Sequence, residues 1–223
     1  MITIVYNITS NYNELTLTSI ESIRKFYRSD LEIQFIITGD VQSRTVDNIQ
    51  YINFYDNDMP LMHQRMMLPD YLSNINRMIY LDSDTLAFTC ISKLWSVDLQ
   101  DNIIAAAPHA ELKTLFDAKK LYQLEFDPKD YKTNGFFNAG VMLIDCDLWR
   151  EYNVTQSCLS MAASNKDNIY ARRNEPILNC ILNNKWLELD SKWNYRPQTT
   201  FKKCYIQHSY GLKSHEKPVH FEF

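Results

Sequence analysis

An α/β fold with a mostly parallel central sheet and helices on both faces is predicted by two features of this 223-residue chain. Strand-like apolar runs alternate with helix-periodic segments from the N-terminus onward. One run, Arg77-Met78-Ile79-Tyr80-Leu81, is apolar without alternation, as a central strand covered on both faces must be. It delivers Asp82 and Asp84, one residue apart, where open α/β sheets collect their ligands.

The elements follow in order. Ile2 to Ile8 reads as a first strand, and Glu14 to Arg28 as an amphipathic helix with Leu17, Ile20, Ile23, Phe26 and Tyr27 on one face. Glu32 to Thr38 is a second strand ended by Gly39, and Ile49 to Phe54 a third. Pro60 to Leu72 is helical but interrupted by Pro69, and Arg77 to Leu81 is the fourth strand. Asn102 to Ala107 is a further strand. A long connection then holds a helix over Glu111 to Tyr122 and the aromatic stretch Tyr131 to Phe137. A connection of that length carries function or a lid, so Tyr122, Tyr131, Phe136 and Phe137 are candidates for a substrate-facing surface and partial lid, or for a structural aromatic cluster. Ala139 to Ile144 resumes the sheet, Leu148 to Ala163 and Pro176 to Leu182 are helices, and Trp186 to Leu189 and Cys204 to Gln207 are late strands.

The composition, 45% hydrophobic and 22% charged, is that of a globular protein, and the length suits one domain over residues 1–223, or one domain of a longer protein. A formal net charge of -4 disfavours nucleic acid as a partner. The five cysteines form no C-x-x-C pair and read as reduced, mostly buried thiols. No stretch reaches the ~18 apolar residues of a membrane span, and no signal-like N-terminus is visible, so a cytoplasmic location is expected.

Two closely spaced carboxylates at a strand end point to a divalent cation. About one Asp-x-Asp is expected by chance in such a chain, and this one has three. Asp56-Asn57-Asp58 precedes Pro60 and reads as a turn. Asp145-Cys146-Asp147 precedes a helix and reads as well as a cap as it does as a site. Only Asp82 and Asp84 lack an equally good structural explanation.

Four blocks then resemble family 8 glycosyltransferases, the group of glycogenin-like and bacterial lipopolysaccharide galactosyl- and glucosyltransferases. They are Arg65-Met66-Met67-Leu68-Pro69-Asp70-Tyr71-Leu72, Tyr80-Leu81-Asp82-Ser83-Asp84, Phe137-Asn138-Ala139-Gly140-Val141-Met142-Leu143-Ile144, and His208-Ser209-Tyr210-Gly211 with Lys217-Pro218. The resemblance covers most of the chain. It implies a GT-A nucleotide-sugar-binding fold and transfer of a hexose from a UDP-sugar to a hydroxyl of a carbohydrate or glycoconjugate, with retention of configuration. It also implies His208 as a third ligand beside Asp82 and Asp84, and an imidazole nitrogen favours Mn2+ over Mg2+. Arg65 would lie near the diphosphate and the first aspartate, where its fork of donors suits both. Ser83, Asn138, Ala139 and Gly211 fall in the family's donor-binding blocks. Lys217 resembles its phosphate-binding lysine, although six positions separate it from Gly211 rather than three, and Lys213 competes for the role. Tyr12 matches an aromatic residue near the base, and Thr9, Ser10 and Asn11 stand where an aspartate usually reads the uracil; an ordinary loop aromatic is the other reading of Tyr12.

The departure of most consequence is Asn174-Glu175-Pro176, where the family usually has Asp-Gln before the helix. Asn174 would hold sugar hydroxyls, and Glu175 would lie beside the anomeric carbon as nucleophile, base or electrostatic partner; as a base for an acceptor hydroxyl on the opposite face it would invert the configuration. Glu175 could equally compensate the helix N-terminus. Besides a sugar nucleotidyltransferase, whose glycine-rich N-terminal phosphate loop is missing here, two other readings stand beside the transferase. Asp82-Ser83-Asp84-Thr85-Leu86 also resembles the signature of haloacid-dehalogenase-like phosphatases, here without the expected Thr or Val at Leu86. A non-catalytic sugar-nucleotide-binding module is the other.

Overall fold

A computed structural model describes residues 1–54, 61–122, 135–164, 174–196 and 203–209. Its main sheet has eight strands among the described residues. At the centre lies β1 (Ile2–Thr9), flanked by β2 (Ile33–Asp40) and β5 (Arg77–Leu81), both parallel to it. Outside β2 come β4 (Ile49–Asn53), parallel, and then the edge strand β3 (Arg44–Val46), antiparallel. On the other side β8 (Phe137–Asp145) runs antiparallel between β5 and β7 (Ile104–Pro108), and β9 (Trp186–Glu188) closes the sheet parallel to β7. Four of the seven neighbouring pairs are parallel, so the sheet is mostly parallel, as expected.

Alternation along each strand divides the core in two. Ile4, Tyr6, Ile79, Leu81, Val141 and Leu143 face one layer, which α1 (Asn13–Phe26) covers with Ile20 and Ile23. Val5, Met78, Tyr80, Met142 and Ile144 face the other, covered by Met66, Leu68, Trp149, Ile177 and Leu178. Those residues come from a broken helical stretch and two later helices. The stretch consists of α2 (Leu61–Gln64), a 3-10 turn over Arg65–Met67 and α3 (Leu68–Tyr71), with Pro69 in the first turn of α3, where a missing N–H costs nothing.

The short helix α4 (Ser92–Trp95) and α5 (Leu115–Tyr122) precede β8. The single helix expected over Leu148 to Ala163 is two, α6 (Cys146–Glu151) and α7 (Val154–Ser164). Asn153 between them sits at φ 51, a left-handed conformation that Asn tolerates and a helix does not. Asp145 caps α6 by accepting from Leu148 N at 2.9 Å, so capping accounts for the third Asp-x-Asp. The last helix is α8 (Asn174–Ile181).

Two pairings were not anticipated. β3 and β4 form a hairpin whose two loop residues, Asp47 and Asn48, both have positive φ (47° and 58°), the turn that matches strand twist. A separate two-stranded sheet pairs β6 (Thr85–Ala87) with β10 (Ile206–His208), antiparallel, with His208 opposite Thr85. All five cysteines are free, and Cys146, Cys158, Cys180 and Cys204 are buried. No helix among the described residues is long and apolar enough to cross a membrane.

Candidate active site

The antiparallel direction of β8 assembles the site. Because Leu81 pairs with Val141, the start of β8 meets the end of β5, and Asp82 N donates to Gly140 O at 2.8 Å. The block Asn138-Ala139-Gly140 therefore lies against Asp82. β6 leaves directly from Asp84, and its pairing with β10 brings in His208, whose neighbour Ser209 donates its backbone N–H to Asp84 O at 3.0 Å. A buried chain of hydroxyls fixes the turn between β5 and β6: Tyr6 OH meets Ser19 Oγ (2.9 Å), Ser19 Oγ meets Thr85 Oγ1 (3.0 Å), and Thr85 Oγ1 donates to Asp82 O (2.8 Å).

Asp82, Asp84 and His208 each offer one ligand atom, all within 4.8 Å of one another. His208 Nε2 is 3.0 Å from Asp84 Oδ1 and 3.6 Å from Asp82 Oδ2. Octahedral ligands at about 2.1 Å from an ion are about 3 Å apart, so the spacing suits a small divalent cation. The division of labour on Asp82 agrees. Its Oδ1 accepts from Tyr80 OH (2.9 Å) and pairs with Arg65 Nη2 (2.9 Å), which leaves Oδ2 on the side of the histidine.

The tautomer of His208 follows from its neighbours. Gly140 N (3.0 Å) and Asn194 Nδ2 (2.7 Å) both donate to Asn138 Oδ1, which turns Asn194 Oδ1 toward His208 Nδ1 at 2.9 Å. Nδ1 must then carry a proton, and Nε2 of the neutral ring presents its lone pair to the two carboxylates. That is the arrangement of a metal-bound histidine with an oriented second nitrogen. Burial alone would lower the His208 pKa, but the bond to Asp84 and the charges of Asp84 and Asp82 raise it above its ordinary value.

Gly140 makes the packing feasible. A Cβ there would lie 2.1 Å from His208 Cε1 and 2.9 Å from Asp82 Oδ2.

Arg65 also donates to Ala139 O (3.1 Å) and stacks over the Tyr80 ring, 4.7 Å from its centroid. Its buried Nε has no hydrogen-bond partner among the described residues. An orphaned buried donor on a cation beside the carboxylate pair is what an anionic ligand would satisfy. Burial works against its charge, yet Asp82, Tyr80, Glu175 and Asp84 hold its pKa above the ordinary value.

Glu175 lies in the first turn of α8, and its Oε2 accepts from Asn138 Nδ2 (2.7 Å) and Ala139 N (3.0 Å). Asn179, one turn on, holds the helix against β8 by giving and taking hydrogen bonds with the Phe137 backbone at 2.9 and 2.8 Å. Burial raises Glu175 to about 7, opposed by the Ala139 N–H and the Arg65 charge. Asn138 thus links Glu175 through Asn194 to His208 in one run of side chains. Asn174 is buried beside Glu175.

Thr9 ends β1, and Ser10–Tyr12 form a 3-10 turn at the edge of the sheet where β5 ends. Thr9 Oγ1 donates to Asn11 Oδ1, and Tyr12 packs partly buried against the α1 layer. Ser83 is half-buried between the two aspartates. Phe136 and Phe137 are 0% exposed, so they are core residues and present no face to an acceptor. The Asp56-Asn57-Asp58 turn, Tyr131, Tyr210, Gly211, Lys213, Lys217 and the side chain of Tyr122 lie outside the described residues. Residue-by-residue reading missed Asn194, His109 and the role of Gly140. A glycine inside an otherwise apolar strand was the readable signal for close approach; Asn194, at the end of a 3-10 turn, and His109, just after the strand Ile104–Pro108, carried none.

Residues 51–221 match the family model for glycosyl transferase family 8. General stress protein A of Bacillus subtilis (strain 168) is 32% identical over 139 residues, 59% of this chain and 44% of that protein. The Arabidopsis thaliana protein named probable galacturonosyltransferase-like 10 is 33% identical over 144 residues, 61% of this chain and 40% of its own length. The chain spans about half the length of the curated relatives it matches. Among solved structures, the galactosyltransferase LgtC in complex with donor and acceptor sugar analogs aligns at TM-score 0.71 and 21% identity, covering 94% of this chain and 87% of that one. An active-site Gln-to-Glu variant of LgtC aligns at TM-score 0.73 and 19% identity, covering 99% and 92%. The shared fold is GT-A.

Proposed function

This chain belongs to glycosyl transferase family 8, and from that premise we propose that it moves a hexose from a UDP-hexose to a hydroxyl of a carbohydrate or glycoconjugate, with retention. The observation that carries the reading is the convergence of Asp82, Asp84 and His208 at the end of β5, joined to Glu175 by the Asn138 and Asn194 amides. The two oxygens and one nitrogen would hold Mn2+ in preference to Mg2+. A bound cation would neutralise charge on the leaving diphosphate as a Lewis acid. A chain of net charge -4 has no bulk positive field to do so.

Arg65 adds a second, fixed positive charge. Its place against Asp82 and Ala139 preorganises it, so its orphaned Nε can meet an anionic donor without reorganising. Tyr12, Thr9, Ser10, Ser83, Asn138, Ala139, Gly211 and Lys217 complete the donor site by resemblance. Glu175 acts beside the anomeric carbon and Asn174 holds sugar hydroxyls. The names of the relatives, galactosyl- and galacturonosyltransferase, support a hexose donor. The family match gives the phosphatase reading no support.

Asp84→Ala tests this directly. It should abolish Mn2+-dependent UDP release while the circular dichroism spectrum stays that of the wild type. Activity that persists with unchanged Mn2+ affinity would overturn the site. NMR of the product's anomeric configuration decides retention.

A further inference from the structure

The two oxygens of Glu175 are not equivalent. Oε2 is occupied by Asn138 Nδ2 and Ala139 N, whereas Oε1 is approached by His109 Nε2 at 3.7 Å. His109 follows β7 and is oriented from its far side. Its Nδ1 accepts from the backbone N–H of Glu111 (3.1 Å) and of Leu112 (3.0 Å). Two donors on Nδ1 require the lone pair there, so the proton of the neutral ring sits on Nε2, the nitrogen that faces Glu175. The ring is also packed edge-on against the buried Phe136, with centroids 5.8 Å apart, and the His109 backbone N–H donates to Phe136 O at 2.6 Å. Burial lowers the His109 pKa, and the neighbouring Arg196 and Lys113 act in the same direction against Glu111, so the neutral form prevails at neutral pH.

Building on the reading of Glu175 given above, we infer that His109 is a positioning residue that presents an N–H to Glu175 Oε1, aiming that oxygen at the donor sugar and holding it ionised during transfer. The present separation exceeds a hydrogen bond. Closing it takes less than about 1 Å, and catalytic hydrogen bonds commonly tighten in that way when substrate binds. With Oε2 already engaged by two donors, Oε1 is the oxygen left to work on the sugar, and the tautomer fixed by the Glu111 and Leu112 backbone ensures that it meets a donor.

The test compares His109→Phe, which keeps a planar ring without an N–H, with His109→Gln, whose amide restores a donor. His109→Phe should lower kcat roughly ten- to a hundredfold, with donor KM and Mn2+ affinity within about twofold of the wild type, and His109→Gln should recover most of the loss. The acid limb of the kcat profile should move to higher pH in His109→Phe, because the other groups that face Glu175, namely Arg65, Asp82 and His208, are unchanged. In a Glu175→Gln background the His109→Phe substitution should cost nothing further.

Equal losses in both backgrounds, or wild-type kcat in His109→Phe, would overturn the inference while leaving Glu175 in place. Near-wild-type activity of Glu175→Gln alone would instead remove the reading of Glu175 and the inference with it. Nitrogen-15 NMR of the His109 ring is independent of folding defects in the variants. A protonated Nε2 with a bare Nδ1 is expected, and the opposite tautomer would overturn the inference.

Discussion

Gly140→Ala perturbs the candidate metal site without touching a polar group. The added methyl would lie 2.1 Å from His208 Cε1, 2.5 Å from its Nδ1 and 2.9 Å from Asp82 Oδ2. Carbon atoms rest about 3.5–4.0 Å apart, so the imidazole must retreat by more than about 1 Å. It has nowhere to go: His208 is 4% exposed, its backbone N–H is bonded to Tyr195 O at 2.9 Å, and its strand is paired with β6. Retreat therefore breaks the 2.9 Å contact with Asn194 and draws Nε2 away from Asp84. The glycine's own φ is not in the left-handed region, so backbone strain does not contribute. Overpacking should cost about 1–3 kcal/mol of stability, and Mn2+ affinity should fall by roughly ten- to a hundredfold, as when a ligand loses its orientation. Calorimetric Mn2+ titration beside urea unfolding in chelator separates the two effects. Wild-type Mn2+ affinity in a correctly folded Gly140→Ala protein would refute the assignment of His208 and Asp82 to one ion.

Two further expectations concern the surroundings of the site. Burial raises Glu175 from an ordinary 4.5 to about 7, so its contribution to stability is present below pH 4.5 and is lost as the pH rises to about 7. At about 1.4 kcal/mol per pH unit this is about 3 kcal/mol, so in chelator Glu175→Gln should be more stable than the wild type by up to that amount above pH 7 and no more stable below pH 4.5; urea unfolding that gives the same difference at both pH values would contradict the burial argument. Thr85→Val keeps the shape but strips the buried chain of the hydroxyl that serves Asp82 O and Ser19. It should cost about 1–3 kcal/mol, seen as a lower urea midpoint at constant slope, and a neutral result would mean that the chain does not fix the turn.

The parts of this fold that were legible share a cause. β5 was placed at its observed bounds because four consecutive buried residues, Met78 to Leu81, leave an unmistakable apolar run after Arg77. β10 was read as the strand Cys204 to Gln207, but β6 is three residues long, too short for periodicity, so the pairing that carries His208 to Asp84 did not show. The reversed direction of β8 was hidden for another reason. A strand buried along its whole length reads the same in either direction, yet that direction decides that Asn138 and Gly140, rather than Ile144, meet Asp82. The ligand pair showed because two carboxylates at a strand end lack an ordinary structural use. Asn194 and His109 did not show, since each acts through one hydrogen-bonding geometry that only the folded chain creates.

Sugar transfer from a nucleotide donor at the Asp82, Asp84 and His208 site is tested most directly by UDP release from a panel of UDP-hexoses, with Mn2+ or chelator, with and without candidate carbohydrate acceptors. UDP, not phosphate, should be released from at least one donor, dependent on Mn2+, stimulated by an acceptor and absent in Asp84→Ala. Donor binding without turnover across the panel, release of inorganic phosphate instead, or UDP release indifferent to both chelator and Asp84→Ala would contradict it.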